Sequence, residues 1–176
     1  MSETSSMILI GIGANLPGPD FTLPRDTCDA AVKALEQAGL VILHQSGWYK
    51  SAPVPASSQP WFINGVIAIE ASLGPVDLLS TLHLIEEHFG RTRSKKDEAR
   101  TLDLDLLAYE ERVIGWDNSD ASLIVPHPRM NERSFVLIPL QEIVPDWHHP
   151  ALNLSLKQMI GALDPDQCTE FDQKAT

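Results

Sequence analysis

Apolar and polar side chains alternate along the stretch Arg100–Tyr109, and this stretch constrains the fold more than any other. Its leucines at positions 102, 104 and 106 share one side of an extended strand, and Asp103 and Asp105 share the other side. Those two carboxylates would lie about 6–7 Å apart along the strand. That spacing lets both reach one metal ion or a pair of ions about 3.5–4 Å apart. A half-exposed strand with solvated carboxylates has the same pattern, so the rest of the chain must decide between the two interpretations.

Charge and cysteine usage exclude several classes of protein. The chain has 176 residues and a formal net charge of −11, which disfavours general binding to nucleic acid or to anionic membranes. Its two cysteines, Cys28 and Cys168, lie far apart and show no metal-ligand spacing, so we expect reduced thiols and a cytoplasmic location. No apolar run approaches the roughly 20 residues that span a bilayer, and we expect no membrane association.

The order of predicted elements gives the fold class. Strands and helices follow one another roughly as βαββαββ and then further helices, which predicts an α+β sandwich, a mainly antiparallel sheet with helices packed on it. We expect one domain over residues 7–165, a disordered tail over 1–6 and a fraying polar tail over 166–176. The predicted strands are Met7–Gly13, a β region within Leu40–Tyr49, Trp61–Leu73, Arg100–Tyr109, Val113–Ile114 and Leu123–Val125. One predicted helix begins at Pro24, and the others are Pro75–Phe89, Phe135–Ile143 and Leu154–Leu163.

Two further segments carry side chains that suit a ligand site. Phe62 and Asn64 share one face of a predicted strand and could stack on and hydrogen-bond a flat heterocycle, although core filling explains the same residues. The basic segment Arg91–Arg100 leads directly into the aspartate strand, a layout that suits a polyphosphate with its magnesium. A charge-balanced exposed loop is an equal alternative. His127 lies between two prolines and near further arginines, and this rigidity favours a functional role.

Six motifs taken together carry a resemblance to a known family. They are Ser51-Ala-Pro, Gln59-Pro, Phe62-Ile-Asn64, Gly90-Arg-Thr-Arg93, Arg100-Thr-Leu-Asp-Leu-Asp105 and Val125-Pro-His-Pro-Arg-Met130. In this order and spacing the chain resembles the 6-hydroxymethyl-7,8-dihydropterin pyrophosphokinases of folate biosynthesis. The resemblance implies a ferredoxin-like α+β fold and transfer of pyrophosphate from ATP to the pterin hydroxymethyl group, with release of AMP.

The resemblance also implies roles for individual residues. Asp103 and Asp105 would hold two magnesium ions, and with Arg91 and Arg100 they would form the catalytic group. Phe62 and Phe135 would sandwich the pterin. The remaining pterin-site residues would be Ser51, Ala52, Val54 and Asn64, and the residues around ATP would be Glu86, Arg91, Arg93, Arg100, His127 and Arg133.

Some positions depart from the family pattern, and other functions stay open. Asp97, Glu98 and Ala99 stand where better-studied members carry Trp-Gly-Pro. The alternatives are another magnesium-dependent nucleotidyl- or phosphoryl-transferase acting on a small acceptor, or a nucleotide-binding module without catalysis. We expect small-molecule substrates and a monomer. The sequence does not identify the group that accepts the proton of the substrate hydroxyl.

Overall fold

The computed structural model describes residues 7–91, 99–118 and 120–173. Short apolar or alternating segments form its strands, which are β1 (Ile8–Ala14), β2 (Val41–Gln45), β3 (Tyr49–Ser51), β4 (Phe62–Glu70), β5 (Asp103–Tyr109), β6 (His148–His149), β7 (Leu154–Ser155) and β8 (Thr169–Phe171). Segments with apolar residues at helical spacing form α1 (Pro24–Gln37), α2 (Pro75–His88), α3 (Ser134–Ile143) and α4 (Leu156–Gly161). Proline occupies the first turn of both α1 and α2, where its missing N–H costs no helical hydrogen bond.

The main sheet is antiparallel throughout the described residues. Its strands lie in the order β5-β1-β4-β3-β8, and β2 pairs with β4 beside β3. Strands β1 and β4 are central, and almost every residue in them is buried. The sequence prediction of an α+β fold with a mainly antiparallel sheet is confirmed.

Helices cover both faces of this sheet and create two hydrophobic cores. On one face, α1 and α2 pack on isoleucines and leucines of β1, β4 and β5. On the other face, α3 and α4 pack on Leu9, Val66 and Leu107. Burial on both faces explains why β1 and β4 are nearly continuous apolar runs. Toward the start of β5, the second face is left uncovered by α3 and becomes the candidate site.

Several predicted boundaries differ from the structure. Val113–Ile114 and Leu123–Val125 do not form strands, because only an isolated bridge joins Ile114 to Val125. The predicted helix from Leu154 begins later, since Ser155 caps α4 through a capping box with Gln158. The prediction that the chain frays from Gln167 is wrong for Thr169–Phe171, which pairs with β3 as an edge strand. None of the helices in the described ranges has the length and apolarity needed to cross a membrane.

Candidate active site

Three neighbouring strands bring the polar site residues into one row. In the register of the sheet, Gly13 of β1 lies between Asp103 of β5 and Asn64 of β4. One step along, Gly11 of β1 lies beside Asp105. Because β1 presents no side chains here, it forms a flat floor between the carboxylates and the amide. A Cβ added at Gly13 would lie only 3.0 Å from Asn64 Oδ1, so a larger residue there would have to displace the Asn64 amide by a few tenths of an ångström.

A first cleft opens above this floor and has a volume of about 90 Å³. It is lined on one side by aromatic and small side chains and on the other by charged ones. Its lining includes every residue that the sequence predicted for the pterin: Ser51, Ala52, Val54, Phe62, Asn64 and Phe135. Arg100, Asp103, Asp105 and Arg133 form the charged side.

A buried hydrogen bond fixes the amide of Asn64 in the first cleft. Asn64 Nδ2 donates to Ser51 Oγ at 2.7 Å, and both side chains are buried. Ser51 lies opposite Phe62 in the pairing of β3 with β4, so this bond joins adjacent strands. Asn64 is therefore a satisfied polar group that also lines the first cleft, and its hydrogen bond to a heterocycle stays a prediction.

A second cleft, of about 370 Å³, shares both aspartates with the first cleft in its lining. It runs between α2, β5 and the segment around His127. Its lining includes Glu86, Arg91, His127 and both carboxylates. Asp103 and Asp105 therefore lie between an aromatic cleft and a second, polar cleft, where they can act on ligands held in either one.

Arginines surround the carboxylate of Asp103. Its Oδ1 accepts from Arg91 at 2.5 Å and its Oδ2 accepts from Arg100 at 2.9 Å. Arg91 also contacts Glu86, whose side chain is 1% exposed and accepts the Leu104 N–H at 2.7 Å. The Glu86 carboxylate therefore holds Arg91 and the start of β5 in place.

Arg133 is a cationic neighbour of Asp105. Arg133 Nη1 lies 3.7 Å from Asp105 Oδ2, and the Asp105 side chain is 31% exposed. Partial desolvation raises the pKa of Asp105, and the nearby charge of Asp103 raises it further, although Arg133 lowers it. A carboxylate whose charge is disfavoured in this way is a position where an added cation lowers the free energy of the site.

The donor set of this pair fits magnesium. Two carboxylates on one strand face offer hard oxygen ligands, and magnesium in nucleotide sites is held by one or two carboxylates together with substrate phosphates. Across residues 7–91, 99–118 and 120–173, no group of three or more histidines, cysteines or acidic residues is placed to hold a metal ion. An ion at Asp103 and Asp105 could take further ligands from the substrate and from water.

His127 is held in one tautomer. Its Nδ1 accepts the backbone N–H of Arg129 at 3.1 Å, which leaves the proton on Nε2. Burial lowers the pKa of His127 to about 4, and the positive charge of Arg133 contributes. Near pH 7 the ring is therefore neutral and offers one N–H donor to the second cleft.

Sequence reasoning missed Asn15, which connects the site to two loops. Asn15 is 2% exposed and accepts the Arg100 N–H at 2.8 Å through Oδ1. Its Nδ2 donates to Gln59 Oε1 at 3.1 Å and to the Pro60 carbonyl at 3.2 Å. The sequence of Gly13–Pro19 is typical of a turn. No local pattern indicates that the side-chain amide of Asn15 meets residues about 45 and 85 positions away.

The structure brings together almost all of the predicted site residues. The pterin-site residues share the first cleft, and Glu86, Arg91 and His127 share the second. Arg100 and Arg133, predicted for ATP, line the first cleft beside the carboxylates. Arg93 lies outside the described residues, as do Asp97 and Glu98.

Comparison with known proteins agrees with this geometry. The model of the 7,8-dihydro-6-hydroxymethylpterin-pyrophosphokinase (HPPK) family matches residues 9–145, which is most of the chain. This chain belongs to the HPPK family. A 2-amino-4-hydroxy-6-hydroxymethyldihydropteridine pyrophosphokinase of Synechocystis is 40% identical over 157 residues, covering 89% of this chain and 75% of the relative. The enzyme of that name from Haemophilus influenzae is 38% identical over 138 residues, covering 78% and 81%.

Solved structures show the same fold as this HPPK chain. The crystal structure of Plasmodium falciparum HPPK-DHPS with pteroate aligns with a TM-score of 0.65 at 12% identity. The alignment covers 88% of this chain but only 42% of that one, so this chain spans less than half of the Plasmodium protein. At that identity the likeness shows the fold alone, and it agrees with the ferredoxin-like arrangement that the sequence resemblance implies.

Proposed function

We propose that this HPPK-family chain transfers the pyrophosphoryl group of ATP to 6-hydroxymethyl-7,8-dihydropterin, which yields the pterin diphosphate and AMP in folate biosynthesis. The observation that carries this proposal is the position of Asp103 and Asp105, which line both an aromatic cleft and a polar cleft. A transferase needs its acceptor and its phosphate donor on two sides of one charged centre. Family membership supports the same reaction.

The first cleft suits the pterin. Phe62 and Phe135 both line it and supply aromatic surface for a flat bicyclic ring. Asn64 and Ser51, already bonded to each other, supply polar atoms that cannot rotate freely. Preorganised polar groups reduce the conformational entropy that is lost on binding. Ala52 and Val54 complete the wall on the side of the loop after β3.

The second cleft suits the phosphates of ATP. Arg91 provides a guanidinium fork, and the neutral ring of His127 provides an Nε2–H donor. Arg91 and Arg100 contact Asp103 in the structure. When phosphate oxygens enter, the same guanidinium groups would bind the triphosphate in place of the Asp103 carboxylate. Glu86 would hold Arg91 in position during this change. We assign Arg93 to the phosphates on the resemblance alone.

Asp103 and Asp105 would hold magnesium, for which we propose two ions. Bound there, the metal supplies charge neutralisation and orientation of the phosphate oxygens. The protein itself contributes positioning: the β1 floor lets the acceptor hydroxyl approach the carboxylates, and Arg100 and Arg133 stabilise negative charge that develops between the clefts. Little covalent chemistry is required of any side chain.

The broader setting of the enzyme is also a proposal. We propose a cytoplasmic monomer whose catalytic domain covers residues 7–165, with β8 as an added edge strand. Both cysteines are free thiols, which agrees with a reducing compartment. The alternatives are another magnesium-dependent nucleotidyl- or phosphoryl-transferase and a nucleotide-binding module without catalysis.

The product formed from ATP distinguishes these functions. The protein is incubated with magnesium, ATP and 6-hydroxymethyl-7,8-dihydropterin, and the nucleotides are separated. Pyrophosphoryl transfer yields AMP only when the pterin is present. Phosphoryl transfer would yield ADP, nucleotidyl transfer would release pyrophosphate, and a binding module would leave ATP intact; each of these three results contradicts the proposal.

A further inference from the structure

The segment from Asp164 to Asp172 lies outside the residues that match the family model, yet it contacts two walls of the first cleft. In the pairing of β3 with β8, Ser51 lies opposite Thr169. The Ala52 N–H donates to the Cys168 carbonyl at 3.4 Å. The hydroxyls of Thr169 and Ser134 lie 2.7 Å apart. The segment therefore joins the strand that carries Ser51 to the start of α3.

Gln167 supplies the cap that α3 lacks. Arg133 occupies the N-cap position of α3, and its side chain makes no capping hydrogen bond. The first N–H groups of a helix have no partner within the helix and need one elsewhere. Gln167 Oε1 accepts the Ser134 N–H at 2.9 Å, and Gln167 Nε2 donates to the Glu132 carbonyl at 2.7 Å. One side chain thus holds the backbone on both sides of Arg133.

The two residues beside this cap belong to the candidate site. Phe135 and Arg133 both line the first cleft, and the Arg133 guanidinium carbon lies 5.6 Å from the centre of the Phe135 ring. Arg133 also faces Asp105 at 3.7 Å. A rotation of the first turn of α3 would move both side chains relative to the carboxylates. Displacements of about 1 Å at a reacting centre can cost about a hundredfold in rate.

Ion pairs anchor the far end of the segment. Asp172 is 7% exposed and pairs with Arg25 of α1 at 2.6 Å and with Lys50 of β3 at 2.8 Å. Its backbone N–H donates to the Trp48 carbonyl at 2.8 Å. Gln167 is therefore part of a segment fixed beyond it by β8 and Asp172, and the cap has a rigid support.

We propose that Gln167 is a positioning residue for the pterin side of the reaction, and this inference rests on the proposed function. By capping α3 it sets the direction in which Phe135 and Arg133 enter the first cleft. None of the residues that line the second cleft contacts Gln167 through a hydrogen bond recorded in the described parts of the chain. Phe135 belongs to the pterin side, whereas Arg133 is also assigned to ATP, so the inference predicts a larger effect on the pterin than on ATP.

The test compares three variants. Gln167→Leu removes both hydrogen bonds, and Gln167→Glu keeps the acceptor for Ser134 while losing the donor to Glu132. Gln173→Leu makes the same change of side chain at the exposed position directly after the segment and serves as the matched control. KM is measured for pterin and for ATP, and pterin binding is measured separately by its fluorescence with a non-hydrolysable ATP analogue.

For Gln167→Leu we expect the pterin KM and dissociation constant to rise about tenfold, the combined effect of two lost hydrogen bonds. The ATP KM should change less than the pterin KM, and Gln167→Glu should give values between those of wild type and Gln167→Leu. Equal changes for both substrates, or a pterin KM matching that of Gln173→Leu, would overturn the inference. If Gln167→Leu does not fold, Gln167→Glu decides by the same criterion. A wild-type protein without pterin-dependent AMP would instead defeat the proposed function.

Discussion

Substitution of Glu86 tests whether a buried carboxylate supports the site. Its side chain is 1% exposed, pairs with Arg91 and accepts the Leu104 N–H at 2.7 Å. Glu86→Leu removes both interactions and places an apolar side chain of similar size between α2 and β5. Glu86→Gln keeps an oxygen for Leu104 and removes only the charge.

The magnitudes follow from these two contacts. Leaving a buried backbone N–H without an acceptor costs about 1–3 kcal/mol. Removing one partner of a buried ion pair costs about 3–5 kcal/mol, but Arg91 retains Asp103 as a partner, so this loss is smaller here. We expect Glu86→Leu to lower the free energy of unfolding by about 2–4 kcal/mol, and Glu86→Gln by about 1–2 kcal/mol. Both should weaken ATP binding, because Arg91 loses its support.

Urea unfolding followed by circular dichroism measures these free energies, and ATP binding is measured by calorimetry. Glu87→Gln, at the exposed neighbour of Glu86, is the control and should lie within about 0.5 kcal/mol of wild type. If Glu86→Leu also lies within that range, the carboxylate does not hold Arg91 and β5. A loss of stability with unchanged ATP affinity would separate the structural role of Glu86 from any role at the second cleft.

Three further predictions concern the carboxylates, the floor and the histidine. Asp105→Asn should lower kcat by at least about a hundredfold in the AMP assay, yet leave the metal-free protein no less stable, because the pKa of Asp105 is raised and its charge is disfavoured; full activity would contradict this. Gly13→Ala should raise the pterin KM at least about fivefold through the 3.0 Å approach to Asn64, and an unchanged KM would show that the floor is not used. The folded-state pKa of His127 is lowered to about 4, so its neutral form stabilises the fold above the unfolded pKa of about 6.5, and this contribution is lost as pH falls toward 4. His127→Gln should therefore show a shallower fall of unfolding free energy between pH 6.5 and 4, and an equal slope would contradict this.

Most of the fold could be predicted because its strands and helices have strong local patterns. The apolar runs of β1 and β4 and the helical spacing in α1 and α2 predicted these elements to within a few residues. The edge strand β8 could not be predicted in this way. Its residues, Thr169–Phe171, are polar or exposed, and they are held by pairing with β3 and by the ion pairs of Asp172, which are long-range contacts.

The site was predictable where residue type alone indicates chemistry. Alternation placed Asp103 and Asp105 on one strand face, and the structure shows them there. The resemblance assigned Glu86 to ATP, but no sequence pattern shows that Arg91 and the Leu104 N–H meet its carboxylate in the interior. Asn15 and Gln167 act on backbone groups distant in sequence, and no local pattern marks them.

The fate of the β-phosphorus of ATP tests the central claim most directly. ATP labelled at that phosphorus is incubated with the protein, magnesium and 6-hydroxymethyl-7,8-dihydropterin, and the products are separated. The account predicts that the label leaves with the pterin as a diphosphate and that unlabelled AMP forms in equal amount. Label retained in ADP, or released as free pyrophosphate without a pterin product, would contradict the account.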